Sequence, residues 1–134
     1  MTNNNMPEYI LNELPVAVYM LDSQNRLQYF NPAFSKLFGA GPEAAGQYIG
    51  LALACGFEAN GAEGNGVHCR HCSFSKIYRQ VRKSGQAVHH QKVVLQQSGP
   101  KNGIFLLEIS VFPLKDKQIV VFVTDKSSDM PLTD

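Results

Sequence analysis

The segment formed by residues 14–39 constrains the fold more than any other part of the chain. Residues 16–21 are apolar and partly β-branched, which favours an extended strand. Residues 22–25 are polar turn formers whose side chains can hydrogen bond to their own backbone. Residues 26–30 then return to an extended pattern. The segment therefore predicts two strands joined by a tight turn.

A short helix is predicted directly after the second strand. Asn31 can cap its N-terminus, Pro32 fits its first position, where a missing N–H costs nothing, and Gly39 ends it. Its apolar stripe consists of Ala33, Phe34, Leu37 and Phe38.

A longer helix is predicted from about Cys72 to Gly85. Four apolar residues recur there at helical spacing and should face the sheet: Phe74, Ile77, Tyr78 and Val81. The basic residues of the opposite side are explained by a solvated face and not by a nucleic-acid site; they are Lys76, Arg79, Arg82 and Lys83.

The last third of the chain predicts an antiparallel meander of three strands, at residues 87–96, 104–114 and 118–124. In the middle strand, apolar residues alternate with a mixed set, so one face of the sheet is apolar. Together these elements predict an α+β fold, with a five-stranded antiparallel sheet and with short helices and one longer helix packed on one face.

The predicted domain organisation is simple. We expect a disordered leader at residues 1–6, a single domain at 7–126 that opens with a helix at 7–14, and a tail at 127–134.

The order of two strands, short helices, one longer helix and three strands resembles that of a PAS domain. Residues 121–125, Val-Phe-Val-Thr-Asp, are similar to the final strand and the Asp-Ile-Thr type ending of that family. The resemblance covers nearly the whole chain and implies a sensory or signalling role. It also implies that the leading helix packs on the outer sheet face or on a second subunit, which predicts a homodimer. A helix that packs only on its own core is the alternative.

Ten positions are candidates to line an apolar pocket between the sheet and the helices. They are Phe34, Leu37, Phe74, Ile77, Tyr78, Val81, Leu107, Ile109, Val111 and Val121. A filled core without a ligand explains the same residues, so both interpretations stay open.

A cluster of residues that can bind metals precedes the long helix. Cys69 and Cys72 form a Cys-x-x-Cys pair, His68 and His71 lie beside it, and Cys55 lies upstream. A helix N-terminus favours thiolates, which bind soft metals or form reversible disulfides. Packed free thiols are the alternative.

Some bacterial PAS domains carry a similar series of cysteines. The similarity implies a metal site formed by Cys55, Glu63, Cys69 and Cys72, with His68 or His71 as substitute ligands. Glu63 stands where that series has a further cysteine, and a carboxylate weakens a site for soft metals.

Two adjacent histidines lie on the first strand of the meander. Strand alternation predicts that His89 and His90 point to opposite faces, so at most one faces the pocket. Such a histidine could ligate haem, as the resemblance allows, but an exposed or hydrogen-bonded histidine is the simpler interpretation.

Charge and hydropathy exclude some classes of partner. Twelve basic against 11 acidic residues give a net charge of +1, which provides no overall field for nucleic acid or for an anionic membrane. No apolar run approaches the roughly 20 residues that span a bilayer. The chain starts without a signal peptide and has three cysteines, so we expect a cytoplasmic protein with reduced thiols.

The sequence carries no recognised catalytic motif, so we predict that it is not an enzyme. The leading hypothesis is a sensor that binds a small ligand, or detects redox state or a metal, and transmits this by protein contact. Its cofactor is unknown. A ligand-free dimerisation or adaptor module is the alternative, and a thiol-disulfide oxidoreductase using Cys69 and Cys72 is a third. Only nine residues follow Asp125, so we expect output through a partner in trans, or a chain that is a fragment.

Overall fold

The computed structural model describes residues 5–53, 73–96 and 104–129. The main elements are α1 (Asn5–Glu13), β1 (Ala17–Leu21), β2 (Leu27–Phe30), α2 (Pro32–Phe38), α3 (Ile49–Ala52), α4 (Ser73–Ser84), β3 (Val88–Gln96), β4 (Ile104–Pro113) and β5 (Ile119–Asp125). Short 3₁₀ turns lie at Pro42–Ala44, Lys115–Lys117 and Ser127–Asp129.

The five strands form one antiparallel sheet in the order β2-β1-β5-β4-β3. The central strand β5 joins the opening hairpin to the final meander, because Val121 lies opposite both Tyr19 of β1 and Val111 of β4. The predicted sheet is therefore confirmed.

Helices α2 and α4 lie against one face of this sheet, which we call the inner face. On β4 the side chains of Leu107, Ile109 and Val111 are fully buried there, as the alternation predicts. On α4 the residues Tyr78 and Val81 are also fully buried. Burying each such apolar side chain contributes roughly 1.5–3 kcal/mol, so the inner face supplies much of the stability of the domain.

The boundaries of α2 follow the predicted capping residues. Asn31 accepts a hydrogen bond from the Phe34 N–H at 3.0 Å, and Pro32 occupies the first turn. Gly39 has φ of +73°, a conformation that glycine adopts without a steric cost, and its N–H donates to Ser35 O at 2.8 Å.

The N-terminal helix differs from its predicted bounds of 7–14. It begins at Asn5 and ends at Glu13. Pro7 does not prevent the earlier start, because its missing N–H falls in the first turn, where no intrahelical partner is needed. The last two residues of the predicted leader at 1–6 are therefore helical. The rest of the division into leader, domain and tail stays a prediction.

Within the three described ranges, no helix combines the length and the apolar character that crossing a bilayer requires.

Candidate functional site

The ten predicted pocket residues come together in one apolar cluster between the sheet, α2 and α4. Eight of them are at most 7% exposed, and only Leu37 and Ile77 are half-buried. The sequence pattern thus identified side chains that share one interior. Whether they enclose a ligand stays a prediction.

A pair of tyrosine hydroxyls lies inside this cluster. The Oη atoms of Tyr19 on β1 and Tyr78 on α4 are 2.5 Å apart, and both residues are fully buried. The Tyr19 ring packs edge-on against Phe34 with ring centroids 5.2 Å apart. Polar groups placed among apolar side chains can orient a bound molecule through a hydrogen bond.

The sequence prediction included Tyr78 but missed Tyr19. Tyr19 alternates with Ala17 and Leu21 on β1, and both of these are buried on the inner face. Period-two alternation within residues 17–21 could therefore have identified it.

Asn31 connects this interior to the N-terminal part of the chain. Its Oδ1 accepts from the N–H groups of Val18 at 2.9 Å and Phe34 at 3.0 Å. Its Nδ2 donates to the carbonyls of Leu11 at 2.9 Å and Val16 at 2.8 Å. All four hydrogen-bonding positions of this buried amide are used, so α1, β1 and α2 are held by one side chain.

Arg82 fixes the C-terminal end of α4 to two turns of the sheet. Its Nη2 donates to Asp22 O at 2.8 Å, and its Nε donates to Lys117 O at 2.9 Å. Lys117 Nζ in turn donates to Arg82 O at 3.2 Å. The prediction that all four basic residues of α4 form a solvated face is therefore wrong for Arg82, which is half-buried. The other three, Lys76, Arg79 and Lys83, are exposed.

Burial determines the electrostatics of this arginine. Desolvation lowers the pKa of the Arg82 guanidinium, while the nearby Tyr78 and Asp22 act in the opposite direction. Guanidinium groups nevertheless stay charged in proteins, so both carbonyls accept charge-assisted hydrogen bonds.

The two adjacent histidines lie on the same face of the sheet, which corrects the expectation that they point to opposite faces. A β-bulge interrupts the pairing of β3 between Val88 and Gln91, and His90 has φ of +55°. The one extra residue lets both rings share a face.

Their contacts show that this is the outer face, opposite the helices. The His89 ring packs edge-on against Phe112 with centroids 5.3 Å apart. His90 Nδ1 lies 3.0 Å from Glu108 Oε2. Phe112 and Glu108 alternate with the buried inner residues of β4, so neither histidine faces the interior as a haem ligand would.

The predicted metal ligands, Cys55, Glu63, Cys69 and Cys72 with His68 and His71, lie outside the described residues. Among residues 5–53, 73–96 and 104–129 no group of three or more His, Cys, Asp or Glu side chains is arranged to hold a metal. The metal site stays a prediction.

A family profile described as PAS domain matches residues 8–70. This match covers the opening hairpin and α2, and the remaining strands complete the same architecture. The profile thus matches the first part of the chain, and the described residues as a whole have the PAS fold. No protein with a curated description matches the sequence.

Solved structures with the same fold come from several bacterial proteins. The PAS domain of nitrogen regulation protein NR(II) from Vibrio parahaemolyticus is 19% identical with a TM-score of 0.62, over 90% of this chain and 97% of that one. A domain of a sensory box sensor histidine kinase/response regulator from Geobacter sulfurreducens is 14% identical with a TM-score of 0.61, over 92% and 94%.

A third similar structure is a PAS domain in complex with ethanol. It belongs to a transcriptional regulator in the LuxR family from Burkholderia thailandensis. It is 11% identical with a TM-score of 0.60, over 90% of this chain and 96% of that one. At these identities the likeness concerns the fold.

Proposed function

We propose that this PAS domain binds a small organic molecule between the inner sheet face, α2 and α4, and that it transmits occupancy to a partner protein in trans. The observation that carries the proposal is the Tyr19–Tyr78 hydroxyl pair inside an otherwise apolar cluster. Burying two hydroxyl groups costs free energy unless they are hydrogen bonded. The two hydroxyl groups satisfy this need through each other, and we propose that they also orient a polar group of a ligand.

The comparisons support the same class of function. One similar domain comes from a sensor histidine kinase, and another is in complex with ethanol, a small molecule with one hydroxyl. We infer a ligand of comparable chemistry for this chain, with an apolar body and one hydroxyl or carbonyl that a tyrosine can contact. Redox or metal sensing by Cys69 and Cys72 is a second kind of input that could be transmitted to the partner protein.

Two connections can carry a change at this site to the surface. Tyr78 and Arg82 lie one helical turn apart on α4, and Arg82 bonds to the carbonyls of two turns. On the other side, Phe34 contacts Tyr19 and its N–H bonds to Asn31, which also holds α1. A movement of α4 or α2 would therefore alter the turns or the N-terminal helix.

The surface that we propose for the partner includes α1 and the outer face. Tyr9 and Ile10 of α1 are 67% and 53% exposed. The Tyr29 hydroxyl donates to Asn12 Oδ1, which ties α1 to β2. Large exposed apolar side chains that lie together favour association, and we propose a homodimer through this surface.

A ligand-free adaptor is the second candidate, and the tight burial of the inner residues favours it. We propose that the protein is not an enzyme, whether it acts as a sensor or as an adaptor.

Mass analysis of freshly purified full chain tests these proposals together. A small molecule that is present under native conditions and released on denaturation would support the sensor. A bare dimer without organic ligand or metal would support the adaptor. Metal quantification and free-thiol counts on the same sample test the cysteine route, and insulin reduction that is lost in Cys69→Ser would contradict the non-catalytic assignment.

A further inference from the structure

A groove of about 380 Å³ opens beside α2, at the end of the sheet where β1 begins and β5 ends. Its deeper part is lined by apolar residues that lie on or directly before β1, on α2 and on β5. They are Val16, Ala17, Ala33, Leu37 and Val123. Ala17 and Val123 are at most 3% exposed, so they form the floor. Of the ten predicted pocket residues, only Leu37 lines this groove.

Two opposite charges line the same groove. Lys36 comes from α2 and Asp125 from the end of β5, and both are exposed. The ion pairs formed among the described residues join Glu108 to His90 and to Lys126, so Lys36 and Asp125 do not pair with each other. Asp125 Oδ1 accepts the Ser127 N–H at 2.9 Å, which fixes the carboxylate and leaves Oδ2 for a second partner.

We propose that this groove binds a small zwitterion with an apolar body, namely an apolar dipeptide. The volume falls in the range of small-molecule sites, about 300–1,000 Å³. The apolar body would lie on Ala17, Leu37 and Val123. The ligand's ammonium group would contact Asp125, and its carboxylate would contact Lys36.

A dipeptide fits these charges better than a single amino acid does. The ammonium and carboxylate groups of an amino acid are attached to one carbon, whereas Lys36 and Asp125 belong to different elements and do not form an ion pair with each other. Exposed ion pairs contribute little individually, so apolar contact supplies most of the affinity and the charges set the orientation. We expect each charge to change the dissociation constant by about two- to fivefold.

Titration of the ¹⁵N-labelled full chain with leucylleucine, followed by amide chemical shifts, tests this inference. We expect saturable shifts at Ala17, Leu37 and Val123. N-acetylation removes the ammonium charge, so the acetylated dipeptide should bind more weakly than the free dipeptide to wild type and to Lys36→Gln. In Asp125→Asn, the acetylated and the free dipeptide should bind equally well. The dipeptide with a C-terminal amide lacks the carboxylate charge, so it should bind more weakly than the free dipeptide to wild type and to Asp125→Asn. In Lys36→Gln, the two ligands should bind equally well. Lys83→Gln is the surface control and should behave as wild type.

Two results would overturn the inference. One is the lack of saturable shifts up to the solubility limit of the dipeptide. The other is binding that both groove variants leave at the wild-type affinity. Neither result depends on the Tyr19–Tyr78 site, so the sensor proposal would be unaffected.

Discussion

At the scale of single residues, Asn31 and the Tyr19–Tyr78 pair are the buried polar groups that tie elements together. Each joins segments that are distant in sequence, and each lies where an unsatisfied polar atom would cost about 1–3 kcal/mol. Their effects on stability can therefore be measured by removing single functional groups.

Replacing Asn31 by Ala should lower the free energy of unfolding by about 2–4 kcal/mol. The change removes a helix cap and leaves the Val18 N–H and the Leu11 and Val16 carbonyls without this partner. Urea denaturation measures the loss. Glu13→Ala, at an exposed position of α1, is the control and should cost less than 1 kcal/mol. A loss below about 0.5 kcal/mol for Asn31→Ala would contradict the role of this amide.

The tyrosine pair predicts a non-additive result. Tyr19→Phe and Tyr78→Phe should each cost about 1–2 kcal/mol, because each leaves the other hydroxyl without this bond. The double variant should cost clearly less than the sum, since both single variants remove the same hydrogen bond, which can be lost only once. Denaturant unfolding of the four proteins gives the coupling energy. Simple additivity would show that the two hydroxyl groups do not interact in solution.

At the scale of elements, alternation and capping residues were sufficient to predict most of the architecture. The meander followed from period-two burial in β4, and α2 followed from Asn31, Pro32 and Gly39. The bulge at His89 and His90 could not be predicted, because an inserted residue changes the side-chain direction without a local sequence mark. The groove was also missed, since Lys36 and Asp125 are 89 positions apart in the sequence and only the fold brings them to the same groove.

The contacts of α4 with the turns predict a specific role for Arg82. Arg82→Lys should lower the free energy of unfolding by about 1–2 kcal/mol, because a single ammonium group cannot reproduce the two-point contact with Asp22 O and Lys117 O. Amide hydrogen exchange in the 115–117 turn should become faster. Arg79→Lys is the matched control on the same helix, where the side chain is exposed. Equal stabilities of the two variants would refute the role of Arg82.

At the scale of the whole molecule, the chain has the PAS fold, with α2 and α4 on the inner face and exposed apolar residues on α1. In our proposal, the inner face binds a ligand and α1 contacts a partner. The sequence pattern predicted the inner residues, whereas the proposed partner surface depends on the position of α1, which the sequence pattern does not give.

The proposed dimer predicts that Ile10→Glu shifts sedimentation toward the monomer, since a charge would be buried at the interface. Leu114 is also an exposed apolar residue but lies next to the turn between β4 and β5, so Leu114→Glu should leave the dimer intact. If both variants sediment as wild type does, α1 is not part of an interface.

The most direct test of the central claim compares native and denaturing mass spectra of the wild type and of the Tyr19→Phe/Tyr78→Phe double variant. We expect the wild-type protein to carry an additional small-molecule mass that is lost on denaturation. The double variant, folded by circular dichroism, should carry less of it. Identical native and denatured masses for the wild type, or equal occupancy in both proteins, would contradict a ligand held by the tyrosine pair.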